Sequence, residues 1–469
     1  MKSRIVRPVR QKEQNKKKSG KNRAYLGDTQ PIRPAGTRLG GPASGDTQPM
    51  RTVGWRSGYA GYKRNVEQRR RTIQAQPAPR TKRSAAKSPS ARSAAGERYF
   101  DYELLLVVIF LMCFGLVMLY STSSYEADVE FGNDLYYFFR QALIGAGGFV
   151  VMFIVSRIDY HIYGAFAVEI YAVAMVAMAL VRTPLGKTLN GARRWIRLPG
   201  NMTLQPAEIT KIAVILFISY ELCRLGKKAY TTEGFIRVFA FGAAAAGGVL
   251  ILTDNLSTAI IVMAITCILF FVIHPKLKPF LIFLAVAAAA AVVLIAVLSV
   301  TIANSDNFRL QRIISWLNPE ATADTGSYQV MQGLYAIGSG GFFGKGLGNS
   351  TQKLGVIPEA QNDMILVVIC EELGVFGALL ILILFGVLLY RLMFIARNAP
   401  DLYGSLIATG IFAHIALQVV LNIAVVTGLL PTTGITLPFI SYGGTAVVFL
   451  LAEMGVALGI SRRIRLENT

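Results

Sequence analysis

Ten apolar runs, each close to the length of about 20 residues that a bilayer-crossing helix needs, limit what this chain can fold into more than any other feature. They lie near 103–122, 136–156, 161–181, 207–224, 233–252, 256–273, 279–302, 364–390, 402–428 and 439–460. Inside hydrocarbon every backbone N–H and C=O needs a partner within the protein, so only helices and closed barrels span it. Continuous runs of this length select helices. The expected fold is therefore an all-α integral membrane protein with ten transmembrane helices. With 53% hydrophobic and only 16% charged residues, the 469-residue chain is unlike a soluble enzyme.

The formal charge of +21 is unevenly spread: residues 1–98 hold 25 Lys and Arg against 5 Asp and Glu, a net +20. This stretch is rich in Lys, Arg, Gln, Ser, Pro and Gly and has no helical or strand periodicity. It reads as a disordered basic tail ahead of a helical domain at 99–465. Gly-Asp-Thr-Gln-Pro occurs in it twice, at 27–31 and 45–49, as low-complexity drift or a docking motif. Its clusters Lys16-Lys17-Lys18 and Arg69-Arg70-Arg71 would be drawn to anionic lipid by about 1 kcal/mol per charge. Lipid or protein contacts, and no nucleic acid, are expected of a tail tethered so close to a membrane. No cleavable signal peptide is expected, because the first apolar run starts near Leu104.

The loops indicate orientation. Segment 123–135 holds Glu126, Asp128, Glu130 and Asp134 and no Lys or Arg. Lys227, Lys228, Lys276, Lys278, Arg391, Arg397 and Arg462 all fall on the side of the tail, so the positive-inside rule makes both termini cytoplasmic. Two loops then count as external, 182–206 and the long loop 303–362, although both carry basic residues. Arg182, Lys187, Arg193, Arg194 and Arg197 in the first and Arg309, Arg312, Lys345 and Lys353 in the second suggest an external anionic ligand. Cys113, Cys223, Cys267 and Cys370 each lie in an apolar run without metal-ligand spacing, so neither a disulfide nor a structural metal is expected.

Asp363 ends the glycine-rich, cationic stretch at 345–363 and immediately precedes an apolar run. As a helix cap it would be ordinary. At the watery mouth of a membrane helix it is also a candidate for chemistry on an anionic lipid head group. Glu371 is eight positions on, about 12 Å along a helix, which is too far for a glycosidase-type carboxylate pair. A single general base with nearby cations suits glycosyl transfer from a lipid-pyrophosphate donor, since a diphosphate leaves with cations and no acid. A proton-coupled lipid transporter would use the same residues. Glu208 and Lys211, three apart on one run, read as a structural ion pair. Glu169, Glu371, Glu372, His414, Gln418, Asn422 and Glu453 are further inward-facing polar residues, most of them expected to be hydrogen-bonded packing groups. Thr436, Ser441 and Tyr442 lie in a Gly- and Pro-broken stretch where irregular backbone can line a cavity.

Six stretches carry a resemblance: Asn190-Gly-Ala-Arg-Arg-Trp-Ile-Arg197, Gln205-Pro-Ala-Glu208-Ile-Thr-Lys211, Gly344-Lys-Gly-Leu-Gly-Asn-Ser350, Pro358-Glu-Ala-Gln-Asn-Asp363, Glu371-Glu-Leu-Gly374 and Gly428 through Gly444. In this order, over about 100–465, they resemble the SEDS family (shape, elongation, division and sporulation), which includes FtsW, RodA and SpoVE. The resemblance implies a ten-helix peptidoglycan glycosyltransferase that polymerises lipid II at the outer face of the bacterial cytoplasmic membrane. It also implies a class B penicillin-binding protein, a transpeptidase, as partner. Asp363 matches the family's essential acidic residue, and Glu208 with Lys211 matches its paired residues. Trp195 and Glu359, inside the matching motifs, join Arg193, Arg194, Arg197, Lys345, Lys353, Thr436 and Ser441 as substrate-binding candidates. A divalent cation, Mg or Mn, is a candidate aid to the leaving diphosphate. The extended motif ending at Gly444 is most like the division-type members, which implies work at the septum with other divisome proteins. Gly355 departs from division-type members that are acidic there. A lipid II flippase, a non-catalytic scaffold and an elongation or sporulation role are the rival readings.

Overall fold

The structure is a computed structural model that describes residues 99–189, 192–197, 203–274, 327–354 and 356–465, with isolated positions between 281 and 322. The expected seventh run, 279–302, and the tail 1–98 lie outside the described residues, apart from Leu281 and Ala285 in the run. In chain order the helices are α1 (Tyr102–Phe131), α2 (Tyr136–Arg157), α3 (Tyr160–Ala165), α4 (Ala167–Leu180), α5 (Pro206–Leu225), α6 (Thr232–Leu252) and α7 (Leu256–Ile273). They continue as α8 (Tyr328–Gly340), α9 (Ile365–Asn398), α10 (Leu402–Val426) and α11 (Thr445–Ser461). Among the described residues six helices are long and apolar enough to cross a membrane: α1, α2, α6, α7, α9 and α10.

The starts follow local chemistry. Asp101 caps α1 by accepting from the Leu104 N–H at 2.9 Å, and Asn255 and Asp401 cap α7 and α10 in the same way. Pro206 opens α5, where its missing N–H costs nothing. Helix α5 runs through the core, with most of its residues buried and α4, α6, α7 and α10 around it. Helices α2 and α11 approach closely at Gly455, where an added Cβ would sit 2.6 Å from the Met152 carbonyl oxygen.

Three features depart from uninterrupted helices. The loop expected at 182–206 folds in part into a small antiparallel sheet of β1 (Gly186–Leu189), β2 (Ala192–Arg197) and β3 (Thr203–Leu204), with Lys187 opposite Trp195 and Ile196 opposite Leu204. Asn-Gly at 190–191, between β1 and β2, is a hairpin signal in the sequence. The run 161–181 is divided at Phe166, between α3 and α4. The run beginning at 364 is interrupted inside α9 by Gly374, at φ 66° and ψ −160°.

That interruption is repaired from outside the helix. Lys345 and Gly346 N–H groups donate to the Glu371 and Glu372 carbonyls, both at 2.9 Å. In return Val375 and Phe376 donate to the carbonyls of Gly341 and Phe342 at 3.0 and 3.1 Å. A membrane helix tolerates such a break only when its freed backbone groups find protein partners. The approach requires glycine: a Cβ at Gly344 would lie 2.1 Å from the Glu372 carbonyl oxygen.

Candidate functional site

A cavity of about 390 Å³ opens among the hairpin, the start of α5, the turns before α9 and the broken stretch before α11. Asp363 lies on its wall. Asn422 on α10 holds the position: its Nδ2 donates to the Asp363 carbonyl at 2.9 Å and to the Ile435 carbonyl at 2.7 Å. One turn earlier, Gln418 Nε2 donates to the Thr436 carbonyl at 3.0 Å. Two amides at i and i+4 thus clamp consecutive carbonyls of the stretch that faces Asp363. Gly434 in that stretch, at φ +72°, leaves the space between carboxylate and cation clear. A Cβ there would lie 3.9 Å from both Arg194 Nη1 and Asp363 Oδ2.

The Asp363 carboxylate has an unusual environment. Its Oδ1 is buried and accepts no hydrogen bond. Burial, partly offset by a backbone hydrogen bond, pushes its pKa up to about 6; Glu359 adds to the rise and the Arg312 guanidinium opposes it. The side chain keeps some opening to the cavity. A carboxylate in this state can exchange a proton near neutral pH at an oxygen that has no hydrogen-bond partner.

Several expected residues meet here. Arg194, Trp195, Glu359 and Thr436 line the cavity with Asp363, and so do Glu208 and Lys211, whose ion pair spans 2.9 Å. The pair expected only to fix a helix therefore also forms cavity wall.

Others are engaged elsewhere. Arg193 donates to the Thr183 carbonyl, and Arg197 is exposed on β2. Ser441 Oγ accepts from the Leu437 N–H at 2.8 Å and closes a turn instead of lining the cavity. Lys345 and Lys353 reach the helix break: Lys345 Nζ lies 2.6 Å from Glu371 Oε1 and Lys353 Nζ 2.8 Å from Glu372 Oε1. Both glutamates are fully buried, and such carboxylates need cations to be tolerable. This accounts for two lysines turning away from the cavity in the described structure.

Arg312, one of the basic residues of the second external loop, also lies on the wall, and one cation there was missed, Arg140 on α2. A lone arginine inside an apolar run is itself a signal, which Arg140 gives within 136–156. As for a divalent ion, the cavity carboxylates are Asp363, Glu359 and Glu208, the last bound to Lys211, with three arginines on the same wall. Among the described residues no group of three or more His, Cys, Asp and Glu is placed to hold a metal. The three guanidinium groups on this wall suit an anion.

Fold and cavity define a class: a multi-helix membrane protein with one activated carboxylate among cations, in a cavity at the mouth of its helices. The family of cell cycle proteins comprising FtsW, RodA and SpoVE matches residues 102–466, and the chain belongs to it. The chain is 37% identical to stage V sporulation protein E of Bacillus subtilis over 78% of this chain and 98% of that protein. It is 38% identical to the probable peptidoglycan glycosyltransferase FtsW of Trichlorobacter lovleyi over 78% of this chain and 94% of the relative. Among solved structures it resembles a chain of a peptidoglycan synthase complex that coordinates polymerization and crosslinking, with TM-score 0.66 and 26% identity over 78% of this chain and 99% of that one. It also has the fold of the rod shape determining protein RodA of Thermus thermophilus, with TM-score 0.57 and 24% identity over 78% of this chain and 98% of that one.

Proposed function

We propose that this membrane enzyme, a peptidoglycan glycosyltransferase, polymerises lipid II into glycan strands at the outer face of the bacterial cytoplasmic membrane. Its chain would cross that membrane ten times with both termini cytoplasmic. Asp363 is the general base: its unpartnered Oδ1 takes the proton of the acceptor's N-acetylglucosamine 4-hydroxyl. That oxygen attacks the anomeric carbon of the donor's N-acetylmuramic acid, and undecaprenyl pyrophosphate leaves with inversion. Arg194, Arg312 and Arg140 face the developing negative charge by charge-assisted hydrogen bonding. One observation carries the reading: an orphaned carboxylate oxygen on the same cavity wall as three guanidinium groups.

Likeness to a chain of a peptidoglycan synthase complex supports a class B penicillin-binding protein as partner. The extended motif ending at Gly444 favours work at the division septum, while similarity to the sporulation protein makes spore wall synthesis the second reading. The test is incubation of purified protein with labelled lipid II, without classical glycosyltransferases, with and without the partner. Glycan strands are expected. Transbilayer movement of lipid II with no polymer would overturn the enzyme reading in favour of a transporter.

A further inference from the structure

His414 on α10 and Glu453 on α11 are buried to 1% and 2% exposure, and neither lines the cavity. Nδ1 of His414 lies 2.8 Å from Glu453 Oε2 and its Nε2 lies 2.9 Å from Gln418 Oε1. Gln418 joins this pair to the site. Its Nε2 donates to the Thr436 carbonyl, so its Oε1 must face the other way, where Lys211 Nζ also approaches to 3.2 Å. An ammonium can only donate. Gln418 Oε1 therefore accepts from both neighbours, and His414 must carry a proton on Nε2. The other ring nitrogen shares one further proton with Glu453, which leaves that pair with zero net charge. Glu208 and Lys211 cancel in the same way. The five side chains together are neutral and hydrogen-bonded, as the interior of a membrane protein demands.

We propose that His414, held by Glu453, is a positioning residue for the glycosyl-transfer site, an inference that rests on the function proposed above. His414, Gln418 and Asn422 form a ladder at i, i+4 and i+8 along α10. The top rung holds Ile435 and Asp363, the middle rung holds Thr436 and Lys211, and His414 sets the orientation of the middle rung. Without the Nε2–H donor, Gln418 loses one of its anchors and the stretch facing Asp363 is freed to shift. Misplacement by about 1 Å at a reacting centre can cost about 100-fold in rate.

The experiment compares His414→Leu, which removes the donor, with His414→Gln, which can return an amide N–H to the same place. Lipid II polymerisation is measured for kcat and KM, alongside the folded fraction and thermal midpoint of each protein. The Leu variant is expected to lose about 10- to 100-fold in kcat with KM changed less, and the Gln variant to recover to within about threefold of wild type. A folded Leu variant with wild-type kcat overturns the inference. So does a loss in both variants that vanishes when rates are divided by folded protein, since that marks bulk packing alone. Wild-type protein that makes no glycan overturns the underlying reading, and the inference with it, before any variant is compared.

Discussion

Two places in this molecule bury carboxylates beside cations, and they do so to opposite effect. At the break in α9, Glu371 and Glu372 are fully matched. Lys345 Nζ and the Thr351 hydroxyl donate to Glu371, Lys353 Nζ and Ser121 to Glu372, and Ser350 to both, by its hydroxyl to Glu371 and its backbone N–H to Glu372. At the cavity, Asp363 keeps an oxygen with no partner and a raised pKa, although arginines share its wall. A carboxylate whose two oxygens both have donors within reach is useful as a joint. One left short of partners is destabilised as an anion, and it becomes a better proton acceptor. Composition does not separate the two; hydrogen-bond satisfaction does.

Breaking the matched region should produce the largest effect. Lys353→Ala leaves Glu372 as a buried charge with hydroxyl and N–H donors only, at a cost of about 3–5 kcal/mol. The expected result is little folded protein in detergent, scored by thermal unfolding and size-exclusion profile. A Lys353→Ala protein that unfolds at the wild-type temperature and lacks only activity would move this lysine into the catalytic machinery. Asp363→Asn should do the reverse, lowering polymerisation by roughly 100-fold while the fold persists. The sign of its effect on stability follows from the raised pKa. A buried carboxylate that binds its proton up to about pH 6 loses stability as pH rises from its unfolded value of about 4. The Asn variant should therefore be more stable at neutral pH, by on the order of 1–2 kcal/mol once the cavity's access to water is allowed for. Rapid glycan synthesis by the Asn variant would exclude Asp363 as the base.

Acid sharpens the same contrast without mutation. Turnover should be flat above about pH 6 and fall by about tenfold for each unit below it, as Asp363 takes up its proton. Wild type whose turnover stays level down to pH 5 would contradict a base of this pKa. Smaller still is the expected effect of Lys345→Ala. That side chain is one-third exposed, and Ser350 and Thr351 go on donating to Glu371 without it. A loss of about 1 kcal/mol is expected in the same unfolding assay, well short of that at Lys353.

Much of the scaffold was legible in the sequence because lipid imposes a length and a composition on each crossing. Asp363, Arg194 and the Glu208–Lys211 spacing could be picked out because charge is conspicuous at the ends of apolar runs. The break at Gly374 could not, since apolar residues continue on both sides of it and its repair comes from Gly341–Gly346, some thirty positions earlier in the chain. For the same reason Lys345 and Lys353 read as ligand-binding cations: their partners are set by how a loop folds back on a helix. Arg140 stands alone in an apolar run that was read for its length, and the Asn-Gly signal of the hairpin was passed over on the same ground. The ladder of His414, Gln418 and Asn422 could be listed as polar residues facing inward, but which carbonyls they hold depends on two separate stretches meeting.

A third charged region sets the lower limit of the comparison, at the junction between the tail and α1. Asp101 caps α1 and accepts from the Arg391 guanidinium at 2.9 Å, while the Tyr99 N–H donates to the Ile464 carbonyl. These contacts tie the start of the helical domain to α9 and to the residues after α11, and they belong to the matched kind. Residues 1–98 carry net +20 but none of the six motifs. A protein beginning at Glu97 keeps Tyr99 and Asp101, so its thermal midpoint and its lipid II polymerisation with the partner should equal those of the full chain. Orientation should hold as well, because Lys227, Lys228, Lys276, Lys278 and the later arginines still bias it. What should change is binding to vesicles containing anionic lipid, where each tail charge is worth about 1 kcal/mol near the surface. A protein beginning at Glu103 has lost Asp101 as well, which leaves the guanidinium of Arg391 without its buried partner, so it should unfold at a lower temperature. If the Glu97 protein inserts and binds its partner yet makes no glycan, the tail acts on the enzyme itself and this third region belongs with Asp363, on the side of chemistry.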